Sequence, residues 1–336
     1  MRGWVVQRYG KGTPLRLVDL PDPVVGDGDV LIEVHAAALN PLDSKIRDGA
    51  FKLLLPYKPP FVLGHDVAGR VFAVGRSVRG FAIGDEVYAR PRDGRIGTLA
   101  ERIAVPAEDV APAPANVSLV EAASLPLVAL TASQALVDIG RVGAGSRLLI
   151  HAGAGGVGTI AIQLAKHLGA TVATTASSAG EALVRSLGAD TVIDYRTQDF
   201  TDQLRDQDFV LANQDAKTLV RSLNVMAPGG TLVSLSGPPD PAFARAQGMN
   251  PVMRFIMGLL SLGVRRKARA RGVDYRFLFM RADGAQLARI TTLVEAGTIK
   301  PVIDRRFGFD AVNDAMAYLD SGHAKGKVVI DVATTR

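Results

Sequence analysis

Over residues 1–110 the apolar positions fall in short, β-branched runs broken by Gly and Pro. Segments 30–34 (VLIEV), 67–74 (VAGRVFAV) and 85–89 (DEVYA) are the clearest, with turns at GDGD, VGRSVRG and IGD. Short runs punctuated in this way predict antiparallel strands. The rhythm changes at residue 117. Segment 117–139 is rich in Ala and Leu and reads as one long helix, opened by Ser118 with Glu121 three positions on, the spacing of a capping box. Strands and helices then alternate: 148–151, helix 156–168, 171–175, helix 178–187, 191–194, and strand-like 209–212 and 231–235. Short apolar strands alternating with helices predict a parallel, doubly wound sheet.

Residues 240–275 interrupt this pattern with a mixed Met, Arg and Pro segment that reads as helical. Strand-like 277–280 and helix 285–295 follow, and the end (302–307, helix 311–319, 328–332) is β-rich again. The tail is therefore expected to return to the first domain and make it discontinuous.

The chain has 336 residues, 48% hydrophobic and 21% charged, a composition that suits two folded domains and excludes disorder. It has no cysteine. That excludes disulfides, thiolate nucleophiles, iron–sulfur clusters and cysteine-based zinc sites, and fits a reducing compartment. The net charge is +6, but Arg265, Arg266, Lys267, Arg269 and Arg271 supply five of those charges, leaving the rest close to neutral. Without a diffuse basic face, nucleic acid is not an expected partner. The cluster reads as a solvated helix end, the alternative being a docking surface for an anionic partner or membrane. The N-terminus, MRGWVVQRYG, lacks a signal peptide's apolar core, and the most apolar run, 251–264, is too short to cross a bilayer. A cytoplasmic protein without an integral membrane segment is expected.

The most informative segment is 147–169, RLLIHAGAGGVGTIAIQLAKHLG. Gly153, Gly155 and Gly158 form G-x-G-x-x-G between an apolar strand and an apolar-striped helix. The first glycine permits the tight turn, the second lets backbone approach a pyrophosphate, and the third lets helix pack on strand. The helix N-terminus then presents N–H groups and a positive dipole end to the anion. Gly153, Gly155, Gly156, Val157 and Gly158 are accordingly expected to hold a dinucleotide. No Gly-Lys-Ser/Thr follows, so a mononucleotide P-loop is disfavoured.

The end of the second strand discriminates between cofactors. An NAD site wants an acid there to bind the ribose hydroxyls. Here stand Thr174, Thr175, Ala176, Ser177 and Ser178, and the nearest acid, Glu181, reads as a capping-box partner of Ser178. Small hydroxyl residues suit a 2′-phosphate. Thr175, Ser177, Ser178 and Tyr195 are its expected contacts, with Arg185 one turn further or simply solvated. The expected cofactor is NADP(H).

Segments AALNPLDSKIRDG (37–49), LGHDVAGRVFAVG (63–75), GDEV (84–87), LTASQAL (130–136), HAGAGGVG (151–158), LGADTVIDYR (187–196) and AKGKVVI (324–330) carry a family likeness. In this order, across almost the whole chain, they resemble the medium-chain dehydrogenase/reductase superfamily. The nearest likeness is to its zinc-free quinone oxidoreductase (zeta-crystallin-like) branch, which includes plant-type enone reductases. The resemblance implies an α/β fold: a Rossmann-type NADP-binding domain over 125–282, and a discontinuous GroES-like β-rich catalytic domain over 1–124 and 283–336. It implies a site in the cleft, with Asn40 and Thr131 near the nicotinamide. Ser236, Gly237, Met280 and Lys327 are implied as further cofactor contacts. Lys45 falls where relatives carry Tyr or Lys. It is a candidate oxyanion stabiliser, proton source or cofactor contact, against the alternative of an ordinary surface lysine.

Zinc alcohol dehydrogenases of this superfamily place cysteine where Asn40 stands and histidine where His65 stands. Only His65 remains, so no metal is expected, and His65 reads as a hydrogen-bonded structural residue. Without a Lewis acid, alkoxide stabilisation for alcohol oxidation is missing. The remaining chemistry is hydride transfer to an electron-poor carbon, where charge builds on an oxygen that a preorganised donor can stabilise. The expected substrate is a small hydrophobic enone or quinone; the α-carbon proton can equally come from water. Competing readings are reduction of another activated double bond (an acyl thioester or haloacrylate) and a weakly catalytic NADPH-binding sensor or structural protein. Two positions depart from the family: LANQDAK (211–217) replaces a D-T-V-G-G-like turn, and Gly180 replaces a phosphate-binding lysine. Met249, Met253, Phe255 and Met257 are expected either to cover an apolar substrate or to pack a helix on its own domain. Homodimers are common in the family, which allows a homodimer here, and the sequence alone leaves the oligomeric state open.

Overall fold

The computed structural model describes residues 1–52, 55 and 57–333. The chain forms two compact units, Met1–Leu130 with Arg281–Arg336, and Thr131–Met280. Unit 1 begins with β1 (Arg2–Val6), β2 (Arg16–Asp19), β3 (Asp29–Leu39), α1 (Pro41–Arg47), β4 (Phe61–Val62), β5 (Asp66–Val74), β6 (Glu86–Ala89), β7 (Arg102–Pro106), β8 (Val110–Pro112), α2 (Leu119–Ala123) and the start of α3 (Pro126–Ser133). Unit 2 contains β9 (Arg147–Ile150), α4 (Gly156–His167), β10 (Thr171–Ala176), α5 (Ser178–Ser186), β11 (Thr191–Asp194), α6 (Phe200–Gln203), β12 (Gln207–Ala212), α7 (Ala216–Ser222), β13 (Met226–Ser234), α8 (Pro241–Ala246), α9 (Pro251–Arg269) and β14 (Asp274–Phe277). Unit 1 resumes with α10 (Gly284–Glu295), β15 (Ile303–Gly308), α11 (Val312–Asp320) and β16 (Lys327–Asp331).

In unit 1, β3 organises the larger sheet, ordered β15-β16-β3-β5-β6-β8. Its first half pairs antiparallel with β7, its last residues with β16, and most of its length with β5. A strand so surrounded has little solvent-facing edge, and the run DVLIEVHAAAL is buried almost throughout. The alanines at 36–38 allow close packing there. The tail joins this sheet through β16, as its apolar pattern predicts. A smaller sheet, β2-β1-β4, is pinned by Trp4, whose indole N–H donates to the Phe309 carbonyl at 2.8 Å.

In unit 2 the six strands run parallel in the order β11-β10-β9-β12-β13-β14, the doubly wound sheet the alternation predicts. Its central strands are buried and apolar because helices cover both faces. Two expectations shift. Segment 117–139 is not one helix: Pro126, with no N–H to give, starts a new one, and a π-helical turn, Gln134–Ile139, ends the stretch. The last strand of unit 2 is Asp274–Phe277 rather than 277–280, because β13 fixes its register from Thr231↔Asp274 to Ser234↔Phe277.

Candidate active site

The glycine loop joins β9 to α4. A Cβ built on Gly153 would lie 2.1 Å from Thr174 Oγ1, and one on Gly158 would lie 2.4 Å from the Ala152 carbonyl oxygen. Both positions therefore exclude any larger residue, so the turn stays tight and α4 can begin directly beneath it. Thr159 N–H donates to the Gly155 carbonyl at 2.9 Å, which leaves the amides of Gly156, Val157 and Gly158 ahead of the first helical bond. Gly155, the N-cap, has no side chain to cap them. This arrangement fits a dinucleotide diphosphate: aligned donors, a positive dipole end, and no Cβ in the way.

Thr175 lies beneath the loop, 4% exposed, where its hydroxyl accepts the Ala152 N–H at 3.0 Å. Its carbonyl accepts the Gly153 N–H at 2.9 Å. Its place is thus one of holding the loop, and Ala152 is held at a φ of +50°. His151 supports the same turn through Thr175 Oγ1 at 3.2 Å and Ser222 Oγ at 2.9 Å. Burial pushes its pKa down to about 4, with Arg221 adding to the shift and Asp215 opposing it. The imidazole is neutral at pH 7.

At the end of β10, Ser177 is the N-cap of α5. Glu181 does not cap Ser178; its carboxylate pairs with Arg185 at 2.8 Å across one helical turn. Arg185 is correspondingly committed to Glu181. The Ser178 N–H instead donates to Asp194 Oδ2 at 3.1 Å, and Asp194 Oδ1 accepts the Arg196 N–H at 3.0 Å. Asp194 is a carboxylate beside β10 that sequence reading missed, since register and not sequence proximity sets it opposite Ala176. Tyr195 is exposed next to it. Gly180 leaves α5 close to the loop: a Cβ there would stand 3.0 Å from the Ala154 Cβ. Ser236 is exposed, with its hydroxyl on the Gln214 carbonyl, and Gly237 N–H donates to Ser234 Oγ at 2.8 Å. Met280 is buried at the edge of the unit and Thr131 is 4% exposed.

In unit 1, register gathers residues far apart in sequence. Ala38 pairs with Asp66 on one side of β3, and Leu39 pairs with Val328 on the other. Asn40, directly after β3, therefore lies between Asp66 and Lys327. Its amide nitrogen donates to Asp66 Oδ2 at 2.9 Å, and its Oδ1 accepts from Lys327 Nζ. Lys327 Nζ also donates to Asp66 Oδ2 at 2.8 Å, and all three side chains are buried. Asp66 Oδ1 accepts the Leu127 N–H at 2.7 Å. Asn40 and Lys327 are thus partners of Asp66 in one buried network.

One turn away, Asp43 accepts the Asn40 N–H through Oδ2 and bonds His65 Nδ1 through Oδ1, each at 2.7 Å. His65 is buried and hydrogen-bonded, and its Nε2 has no partner among the described residues. Lys45, on α1, is exposed. Val67 pairs with Ala89, which brings Arg90, 1% exposed, alongside the start of β5. Arg90 Nη2 donates to Asp93 at 2.7 Å, while Nε and Nη1 have no partner among the described residues. Leaving guanidinium N–H groups dry is costly, which singles this residue out as a donor without a use in the fold. Sequence reasoning missed it; a charged residue following the apolar strand YA was the signal.

The donors do not suit a zinc ion. The sequence has no cysteine, His65 Nδ1 is taken by Asp43, and Asp66 is taken by Lys327. Among the described residues no three His, Asp or Glu converge.

Two family profiles match, an alcohol dehydrogenase GroES-like domain over residues 26–115 and a zinc-binding dehydrogenase over 187–330. The chain is 38% identical to the mitochondrial NAD(P)H oxidoreductase RTN4IP1 of Mus musculus, covering 99% of this chain and 89% of that protein. It is 37% identical to the chloroplastic NADPH-dependent alkenal/one oxidoreductase of Arabidopsis thaliana, covering 98% and 79%. The quinone oxidoreductase structure from Coxiella burnetii superposes with a TM-score of 0.86 at 31% identity, covering 99% of both chains.

Proposed function

The chain belongs to the medium-chain dehydrogenase/reductase superfamily, and from that premise we propose that it is an NADPH-dependent, zinc-independent reductase of enones or quinones. The observation that carries the proposal is the glycine cradle, where side chains are excluded at 153 and 158 and the amides of Gly156, Val157 and Gly158 precede the first helical bond. The relatives named for NAD(P)H, alkenal/one and quinone chemistry support the same reading.

Preference for NADPH rests on the neutral end of β10. Asp194, the nearest carboxylate, has both oxygens tied to backbone amides and is poorly placed to bind ribose hydroxyls as an NAD site requires. Ser177, Ser178 and the exposed Tyr195 are the proposed 2′-phosphate contacts, with Gly153, Gly155, Gly156, Val157 and Gly158 at the diphosphate and Ser236, Gly237 and Met280 along the remainder.

When bound, the nicotinamide supplies a hydride. On the substrate, charge then gathers on the carbonyl or quinone oxygen. The Arg90 Nε–H and Nη1–H groups and the Lys45 ammonium are the proposed stabilisers of that charge, and Thr131 is a further hydroxyl donor. Asn40 acts as a positioning residue, fixed between Asp66 and Lys327. No step passes through a metal, since the donor set does not suit one. A cytoplasmic location and a homodimer complete the proposal, checked by cell fractionation and light scattering.

Steady-state turnover with NADPH and NADH on 1,2-naphthoquinone and on a small enone tests the reading. The expected result is turnover of both substrates with NADPH and at least about tenfold lower kcat/KM with NADH. Equal rates with the two cofactors remove the NADPH preference, and no turnover of either substrate removes the reductase.

A further inference from the structure

Helix α9 is apolar on two opposite sides. Met257, Ser261, Val264 and Ala268 form the stripe buried in unit 2. On the far side Val252, Phe255, Ile256, Leu259, Leu260 and Leu262 are between 39% and 67% exposed. Their spacing is that of one helix face, about 15 Å long at 1.5 Å per residue. An ordinary surface helix is polar on that side. Single exposed apolar residues are unremarkable, but a contiguous stripe of six marks a surface that is covered in use.

The next two turns carry the opposite chemistry on the same outward side. Arg266 and Lys267 are exposed, and among the described residues Arg265, Arg266, Lys267 and Arg269 have no ion-pair partner. No Asp or Glu occurs from 241 to 273. Beside the helix, Arg245, Arg265, Arg269 and Arg276 line a cavity of about 200 Å³ with Asp240 and Asp274. Those two acids are engaged, Asp240 by the Phe243 and Phe277 amides and Asp274 by Arg276. Arg245, Arg265 and Arg269 are left to meet an anion from outside.

We propose that α9 is a peripheral membrane-docking helix for anionic phospholipid. Its apolar stripe enters the boundary between headgroups and acyl chains, and its basic end with the arginine-lined cavity holds lipid phosphates. The geometry is that of an interfacial amphipathic helix, which lies in the surface rather than crossing it. Among the described residues no helix is long and apolar enough to cross. Charge selects this occupant: the unpaired cations at the end of the stripe, in a run from 241 to 273 without Asp or Glu, complement a surface of lipid phosphates.

Vesicle flotation with the full chain tests the proposal, using phosphatidylcholine alone and phosphatidylcholine with phosphatidylglycerol. The expected result is binding to the anionic vesicles at least about tenfold tighter than to the neutral ones, weakening as salt rises. Millimolar inorganic phosphate should not compete. Leu259→Ser with Leu262→Ser should lower vesicle affinity at least about tenfold. Arg265→Ser and Arg269→Ser should each lower it about fivefold, all with unchanged turnover in solution. Equal or absent binding to the two vesicles overturns the proposal. So does a concentration-dependent dimer that Leu259→Ser with Leu262→Ser abolishes, which assigns the face to a second copy. Turnover without vesicle binding sinks the docking surface and leaves the reductase standing; the reverse result does the opposite.

Discussion

The glycine loop of unit 2 and the Asn40–Asp66–Lys327 network of unit 1 solve the problem of buried polarity in opposite ways. The loop works through main chain: its donors are amides, its specificity is the absence of Cβ atoms, and its residues lie within six positions of one another. The network works through side chains that are 26 and 261 positions apart, brought together by the register of β3 with β5 and β16. One is written as a local spacing; the other exists only once the sheet has formed. A change in the loop should therefore strike ligand binding, and a change in the network should strike stability first.

The largest effect is expected in the network. Asp66→Ala leaves the Lys327 ammonium buried without a counter-charge and strips Asn40 and the Leu127 amide of their acceptor. It should cost about 3–5 kcal/mol of unfolding free energy in a denaturant titration, and Asp66→Asn with Lys327→Met should recover most of it. A loss below about 1 kcal/mol would mean that solvent reaches the pair.

The loop provides the mirror case. Gly158→Val should weaken NADPH binding at least a hundredfold, about 2.7 kcal/mol by calorimetry, because its Cβ is driven into the Ala152 carbonyl. If thermal stability falls as far as affinity does, the separation between the two regions fails.

His151 lies between these extremes, a side chain serving the backbone loop. In the unfolded chain it takes a proton near its ordinary value of 6.5, and in the fold only near about 4. The stability from keeping it neutral is thus complete above the higher value and fades as pH drops through that window. Between pH 7 and pH 5 the wild type should lose about 2 kcal/mol more than His151→Asn in urea unfolding. Parallel losses would show that the imidazole titrates normally.

The smallest effect is expected at the cofactor's far end. Ser177→Asp adds an acid at the N-cap of α5, and should shift the NADPH-to-NADH ratio of kcat/KM by about tenfold toward NADH. An unchanged ratio would place the 2′-phosphate elsewhere.

The same contrast explains what could be read from the chain beforehand. The parallel sheet was legible because each strand and helix carries its own periodicity, and the loop was legible because Gly153, Gly155 and Gly158 sit in one short motif. The returning tail could be inferred from the β-rich pattern around 302–307 and 328–332. Arg90, Asp194 and the engagement of Asn40 with Lys327 were not legible, since each depends on which residue stands opposite on a neighbouring strand. The capping role assigned to Glu181 failed for a related reason: Asp194, from the next strand, reached the Ser178 amide, and Glu181 took Arg185 instead. The break at Pro126 was a local signal outweighed by the Ala/Leu content around it.

Deuterium transfer examines the central claim most directly. The protein, dialysed against chelator, would be given NADPH deuterated at the transferable position together with a small enone, and the product analysed by mass spectrometry. One deuterium at the β-carbon, formed as fast after chelation as before it with the same labelled cofactor, is the expected outcome. A product without deuterium, or activity that returns only when a divalent metal is added back, would contradict it.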